Sequence, residues 1–296
     1  MVGEDSTAEL EETFSVVAND IRLDILWTLW EIYTDNPSPD PGSVPFSTLK
    51  DRVGVRDSGQ FHYHLDELVP RFVTRHEDGY TLTYAGARII GAAVSGIYTD
   101  TQTTLETTAA DSCPDPSCEG ELELGYHQGH VRATCNSCEE RQIMSAPPIL
   151  VGAHDVDRNP GLLGSFTLTQ LQKTVRGFCH LCSGPVEGSV VQQSLDDEVE
   201  TGENVEIVYE CQECEAASYT AATTAILGHP AVVSLLYDAG IDYRKISPWH
   251  ITRTLNSKER VNSEDPVRVE VTVSIADTKL TAILDENLTV LDCSEQ

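Results

Sequence analysis

From residue 10 the apolar positions Leu10, Phe14, Val17, Ile21, Ile25, Leu29 and Ile32 recur at steps of three and four, the period of a helix that buries one face. Asn19 and Asp20 interrupt this pattern and are residue types that cap helices. The pattern therefore predicts a short helix and then a longer one, after a loose N-terminus over residues 1–9. The stretch DNPSPDPGSVP at 35–45 holds four prolines and cannot continue the helix, so it reads as a loop. Ser47 opens a short helix with Leu49 and Val53 on one side, and Gly54 closes it. A further helix follows over residues 57–69 with Phe61, Leu65 and Leu68 on its apolar face. His64 borders that face and reads as a hydrogen-bonding residue at the core edge.

Two β-prone runs, 72–76 and 80–83, flank Glu77, Asp78 and Gly79; Asp-Gly between such runs signals a hairpin whose turn residues tolerate positive φ. Thr83 can then cap a helix running through Ile89, Ile90, Val94 and Ile97. Near the C-terminus the period changes from helical to two. VRVEVTVSI at 267–275 alternates apolar and polar residues, and with KLTAIL and LTVL after it predicts a small antiparallel meander. Before it, Pro230 heads an apolar helical run over 231–237.

Nine cysteines refine this outline, because eight of them fall into close pairs. Cys113 and Cys118 precede Cys135 and Cys138, with ELELGYHQGHVRAT between them as two strands around a turn. Cys179 and Cys182 precede Cys211 and Cys214, with 186–195 and 205–209 as strands and the acidic DDEVETGEN as their tip. Each set has the layout of a zinc ribbon, two knuckles whose four sulfurs meet at one tetrahedral point. Four thiolates leave no open coordination position, so two structural Zn2+ ions are expected rather than a catalytic one. Oxidation sensing and disulfides are the rival readings. Gly184 is expected to relax the backbone beside Cys182. Cys293 has no partner and reads as a small core residue, and His127, His130 and His180 as surface residues.

The expected architecture is thus α+β: a winged helix-turn-helix over 10–108, a first ribbon over 109–146, and a second ribbon with a mixed C-terminal domain over 147–296. At VANDIRLDIL, DSGQFHYHLDEL (57–68) and YTLTYAG (80–86), the chain resembles the ArsR-like winged helix-turn-helix regulators common in haloarchaea. The resemblance covers about the first third and implies a DNA-binding transcription regulator, homodimeric through helices outside the reading unit. The helix around Ile89, Val94 and Ile97 and the first helices with Trp27 and Trp30 would supply that interface, unless they only complete the monomer core.

On such a unit the helix at 57–69 faces the major groove. Gln60 and Arg56 suit base edges; Ser58, Tyr63 and the flanking His62 suit the groove and phosphates; Arg75 and His76 sit on the wing. Residues 46–88 carry six basic and six acidic side chains, a neutral segment in a chain with 48 acidic and 19 basic residues and a formal charge of −29. Only five of the 19 are lysine. Acids spread along the whole chain fit a surface adapted to high intracellular salt, where charges are screened within about 3 Å at 1 M.

No signal segment is apparent, and the apolar stretch at 89–97 is broken by two glycines and too short to span a bilayer, so a cytoplasmic protein without membrane contact is expected. No phosphate-binding glycine loop, His-Glu-x-x-His helix or nucleophile motif stands out, which argues against an enzyme. Two other classes fit the same features: a general factor resembling archaeal transcription factor E, and a zinc-bound adaptor that touches only proteins. A C-terminal sensing pocket between the 231–237 helix and the 267–275 strand is the remaining expectation.

Overall fold

The computed structural model describes residues 4–35, 42–115, 117–138, 140–154, 156, 159–191 and 205–295. It is an α+β chain that divides into two compact units, Met1–Thr101 with Pro147–Ile149, and Gln102–Ala146 with Leu150–Gln296.

The first unit runs α1 (Glu4–Val17), α2 (Asp20–Asp35), α3 (Phe46–Val53), α4 (Ser58–Leu68), β1 (Val73–Arg75), β2 (Tyr80–Leu82) and α5 (Tyr84–Val94). Ile25, Leu26, Leu49, Phe61, Leu65 and Leu68 are fully buried and form its centre, with Phe46 packed edge-on against Phe61 at 5.2 Å. Of these, Ile25, Leu49, Phe61, Leu65 and Leu68 are positions that the helical period assigns to the inner faces. Leu10 and Phe14, which the same period assigns inward, are exposed, because α1 joins this core only through Val16 and Val17 at its end. Asn19 separates α1 from α2 by accepting the Arg22 amide at 3.2 Å, as its capping chemistry predicts.

Four local expectations need correction. Residues 4–9 are helical rather than loose, because α1 starts at Glu4; Ala8, Glu9 and Leu10 are strong helix formers that outweigh the polar composition. The turn at Asp78-Gly79 has no positive φ. Glycine is needed there for space instead, since a Cβ on Gly79 would lie 2.4 Å from the Val44 carbonyl oxygen, where Val44 and Tyr80 exchange two hydrogen bonds of 2.9 Å. Helix α5, capped by Thr83 through the Gly86 amide at 3.1 Å, stops at Val94, and left-handed Gly96 leaves Ile97 outside it. His64 Nδ1 is buried with no hydrogen-bond partner among the described residues; its ring instead meets Tyr63 at 5.2 Å. The proline loop is described only from residue 42, so its residues 36–41 lie outside the described chain.

The second unit holds three antiparallel sheets. The first is β3 (Leu105–Ser112), β4 (Glu121–His127), β5 (His130–Cys135) and β6 (Arg141–Ser145), in chain order. The second is β7 (Val186–Val190), β8 (Glu206–Cys211) and β9 (Ala217–Ala221), and the third is the meander β10 (Lys258–Glu264), β11 (Val267–Ile275), β12 (Thr278–Leu284) and β13 (Val290–Glu295). Between the first two sheets the chain forms α6 (Pro148–Gly152) and α7 (Gly161–Val175). The turn from β4 to β5 places Gln128 and Gly129 at φ 49° and 80°, the two-residue turn that matches strand twist.

The alternation at 267–275 is realised as β11, with Val269, Val271 and Val273 fully buried. They pack with the helix Pro230–Asp238, whose Val232 and Leu236 are also fully buried, and Cys293 lies partly buried against the same core. That helix and strand therefore form an ordinary core rather than enclosing a pocket. The acidic tip at 196–204 lies outside the described residues. No helix among the described residues is long and apolar enough to cross a membrane.

Candidate metal centres and nucleic-acid interface

Two four-cysteine groups are assembled in the second unit. Within each group the four sulfurs lie within 4.8 Å of one another, Cys113, Cys118, Cys135 and Cys138 in one and Cys179, Cys182, Cys211 and Cys214 in the other. The eight paired cysteines thus meet as their spacing predicts.

One backbone rule builds all four knuckles. The amide of the first cysteine donates to the carbonyl two residues beyond the second: Cys113 to Gly120 at 2.8 Å, and Cys135 to Glu140, Cys179 to Gly184 and Cys211 to Ala216 at 2.9 Å each. The wider gap between Cys113 and Cys118 lengthens that loop without changing how it closes. Amides also aim at the sulfurs, Gly120 at Cys118 and Ser137 at Cys135 at 3.4 Å, and Leu181 at Cys179 and Gly184 at Cys182 at 3.3 Å. The permissive backbone position is Ser183, at φ 65°, rather than Gly184. Gly184 answers a steric need, since its Cβ would lie 2.9 Å from Glu213 Cγ and 3.1 Å from Cys182 Sγ.

The sulfur geometry fits a bound cation. Cross-pair Sγ···Sγ distances are 3.6 Å (Cys113 to Cys138), 3.7 Å (Cys118 to Cys135), 3.6 Å (Cys179 to Cys214) and 3.5 Å (Cys182 to Cys211). A tetrahedral centre with metal–sulfur bonds of about 2.3 Å has edges of about 3.8 Å. Backbone amides draw the thiols of Cys135 and Cys211 down to about 7. Burial pushes the Cys113 thiol up, so this sulfur becomes a thiolate ligand only where a cation among the four offsets that cost. The two centres differ in exposure: Cys118 and Cys138 are half-buried, while Cys182 and Cys214 are exposed.

The first centre has supports that no motif announces. His250 Nε2 lies 2.8 Å from the Ser112 carbonyl and its Nδ1 3.0 Å from Asp111 Oδ2. Arg253 donates to the Cys113 carbonyl and, at 3.3 Å, to Ser112 Oγ. His127, His130 and His180 belong to neither sulfur group.

In the first unit, α4 separates two kinds of residue. Phe61, Leu65 and Leu68 are fully buried, while Ser58, Gln60, His62 and Tyr63 are exposed, as is Arg56 just before the helix. Asp57 caps the helix by accepting the Gln60 amide at 2.6 Å. Lys50 donates to Ser58 Oγ at 2.9 Å, which ties α3 to the start of α4. The acids of α4 lie in its last turns and are engaged. Asp66 pairs with Arg75 and, at 3.1 Å, with His62; Glu67 meets Arg22 at 3.1 Å. Arg22 also stacks over Tyr63 at 5.8 Å. Arg75 and His76 are exposed at the hairpin, with His76 Nε2 2.8 Å from Thr81 Oγ1. Arg56 and Gln60 therefore share one exposed end of α4, whereas Arg75 is drawn toward the other.

Residues 110–290 match a family model described as Domain of unknown function (DUF7351), and residues 10–93 match another described as Domain of unknown function (DUF7347). The interval between the two matches brackets the division of the chain at Thr101 and Gln102. No curated protein and no solved structure matches.

Proposed function

This chain belongs to the family described as Domain of unknown function (DUF7351), and from the geometry above we propose a DNA-binding transcription regulator. In this reading the first unit is a winged helix-turn-helix and acts as a homodimer, and two structural zinc ions clamp the second. The observation that carries it is the division of α4. Three fully buried apolar side chains seat the helix, and Arg56, Ser58, Gln60 and Tyr63 stand exposed at its N-terminal end. That is the end of a recognition helix that meets base edges.

Electrostatics support this placement despite the charge of −29. Residues 58–63 contain no carboxylate, and Asp57 is engaged in capping. Asp66 and Glu67, farther along, are neutralised by Arg75 and Arg22. In molar salt the release of counterions from phosphate adds little affinity, so hydrogen bonds to bases have to carry the discrimination. Zinc is the metal best suited to closed four-thiolate tetrahedra, which hold folds together rather than perform chemistry.

The test is selection of bound duplexes from a random pool by the full-length protein in molar KCl, followed by footprinting. A discrete consensus is expected. Gln60→Ala and Arg56→Ala should each weaken consensus binding by about 5- to 150-fold, the value of one lost bidentate base contact, with the fold intact by circular dichroism. Unchanged binding by both variants removes the assignment of α4. Binding without a consensus favours a general factor, and no duplex binding at all favours a protein adaptor.

A further inference from the structure

A cavity of about 600 Å³ in the second unit touches every residue of β6, 141–145, and every residue of β9, 217–221. Successive residues of a strand point to opposite faces, so a surface that meets all of them meets the strand along its edge. Both strands are edges, β6 of the first sheet and β9 of the second. Their outward groups follow from the ladders. Because Cys135 donates to Glu140 and Ala146 to Gly129, Arg141, Ile143 and Ser145 turn their main-chain groups away from β5. Because Cys211 donates to Ala216 and Ala222 to Val205, Ala217, Tyr219 and Ala221 turn theirs away from β8. The Ala221 carbonyl accepts the Thr224 hydroxyl at 2.8 Å. The outward amides of Arg141, Ile143, Ser145, Ala217 and Tyr219 have no partner among the described residues.

Free edges are ordinarily guarded by lysine, proline, a bulge or a covering segment. Neither RQIMS of β6 nor ASYTA of β9 contains lysine or proline, and Ile143 and Tyr219 are instead 60% and 64% exposed. Helix α7 lines the cavity between them with Thr167, Gln170, Leu171 and Thr174, a single helical stripe. The lining also lacks carboxylates. Acids make up 48 of 296 residues, yet among the 20 lining residues there is none, and the charge-bearing side chains are Arg141 and His180.

We propose that this cleft binds an extended peptide segment of a partner protein, proline-free and carrying an acidic residue. The segment adds as a strand to the free edges of β6 and β9, with its acid toward Arg141. Five residues per edge set the length at about 17 Å. Two rows of unpaired main-chain groups call for a backbone as the ligand rather than a small molecule, which is held by a few convergent side-chain groups. The assignment goes beyond DNA reading and does not rest on it.

The probe is a phage-displayed library of random linear peptides, selected on the full-length protein in molar KCl and followed by synthesis of the enriched sequences. Enriched peptides should lack proline and carry Asp or Glu. They should slow hydrogen exchange at the amides of Arg141, Ile143, Ser145, Ala217 and Tyr219 by tenfold or more. Ile143→Pro and Tyr219→Pro remove an outward amide but no ladder bond, and each should weaken binding about tenfold, while Ile143→Thr retains most of it. Circular dichroism on each variant separates lost binding from lost fold. The proposal falls if no peptide is enriched, if enriched peptides bind the proline variants equally well, or if they leave the five amides unprotected. It also falls if those amides become protected in free protein as its concentration rises, since a second copy then fills the cleft.

Discussion

His250 and Ser112 stand 138 residues apart in sequence, yet the imidazole Nε2 lies 2.8 Å from the Ser112 carbonyl, one residue before the metal-site cysteine Cys113. With Arg253 on the Cys113 carbonyl, this contact fixes the approach to the first four-cysteine centre. The second centre is more exposed, through Cys182 and Cys214. Metal should therefore leave in two phases under a colorimetric chelator, the fast phase from the second centre. His250→Ala and Arg253→Ala should each speed the slow phase about tenfold, the usual scale for groups that orient metal ligands. An unaltered slow phase in both variants removes the supporting role.

Metal analysis of the native protein should give two ions per chain. Cys135→Ser and Cys211→Ser should each remove one and leave the other, because the ligand sets share no residue. Gly120→Ala offers a finer test at the first centre. Its Cβ would lie 2.7 Å from Cys135 Sγ, whereas a Cβ on Gly228 meets nothing within 4 Å. Gly120→Ala should weaken metal binding at the first centre by tenfold or more, and Gly228→Ala should leave it unchanged. Equal affinities, read by competition with a zinc chelator, contradict a Cβ-intolerant knuckle.

The metal groups were legible in sequence because their determinants are local: each knuckle is a short loop that closes on itself, and spacing alone reveals it. The burial of Phe61, Leu65 and Leu68 and the strand at 267–275 were legible for the same reason, since period reports the buried face. What surrounds the centres was not. Strands β3 and β6 lack clean alternation, and their place comes from pairing with β4 and β5. Helix α7 begins with Gly161 and Gly164 among its residues and contains Thr167, Thr169 and Thr174, which blur its apolar stripe. His250, Arg253 and Glu259 act across long separations, and nothing adjacent in the chain marks them.

Glu259 gives a prediction with a defined sign. Its buried carboxylate accepts the Val205 amide at 2.7 Å, the Ala222 amide at 3.1 Å, and the Thr223 amide at 2.7 Å with the Thr223 hydroxyl. Either orientation of a glutamine amide would face donors, so Glu259→Gln should cost about 1–3 kcal/mol. Burial nevertheless holds the Glu259 carboxyl above the ordinary carboxylate range, against the pull of its donors. A raised folded-state value means that the folded chain keeps the proton over the interval up to it. The group's contribution is then complete below the ordinary value and declines as pH rises through the raised one. The stability gap between wild type and Glu259→Gln should be widest at acid pH and narrow upward, as urea titrations at fixed KCl would record. A gap that widens with pH means that the donors outweigh burial.

The proposed homodimer rests on apolar side chains that the first unit leaves uncovered. Ile90 is buried and Ile89 and Trp30 pack against the core, so these positions complete the monomer. Leu10 and Phe14 on α1 and Leu23 and Trp27 on α2 remain 51%, 56%, 43% and 44% exposed. Each pair is spaced four residues apart, so each helix presents an apolar stripe. A two-fold contact through these stripes buries the same side chains on both partners. Phe14→Glu with Trp27→Glu places like charges in that contact while leaving the core untouched, and should convert a dimer to a monomer in sedimentation equilibrium. The same variant should protect a single half-site in place of two about 34–36 Å apart, the separation that a two-fold pair of recognition helices spans. A wild-type chain that sediments as a monomer at every concentration eliminates the dimer and leaves α4 to read one half-site alone.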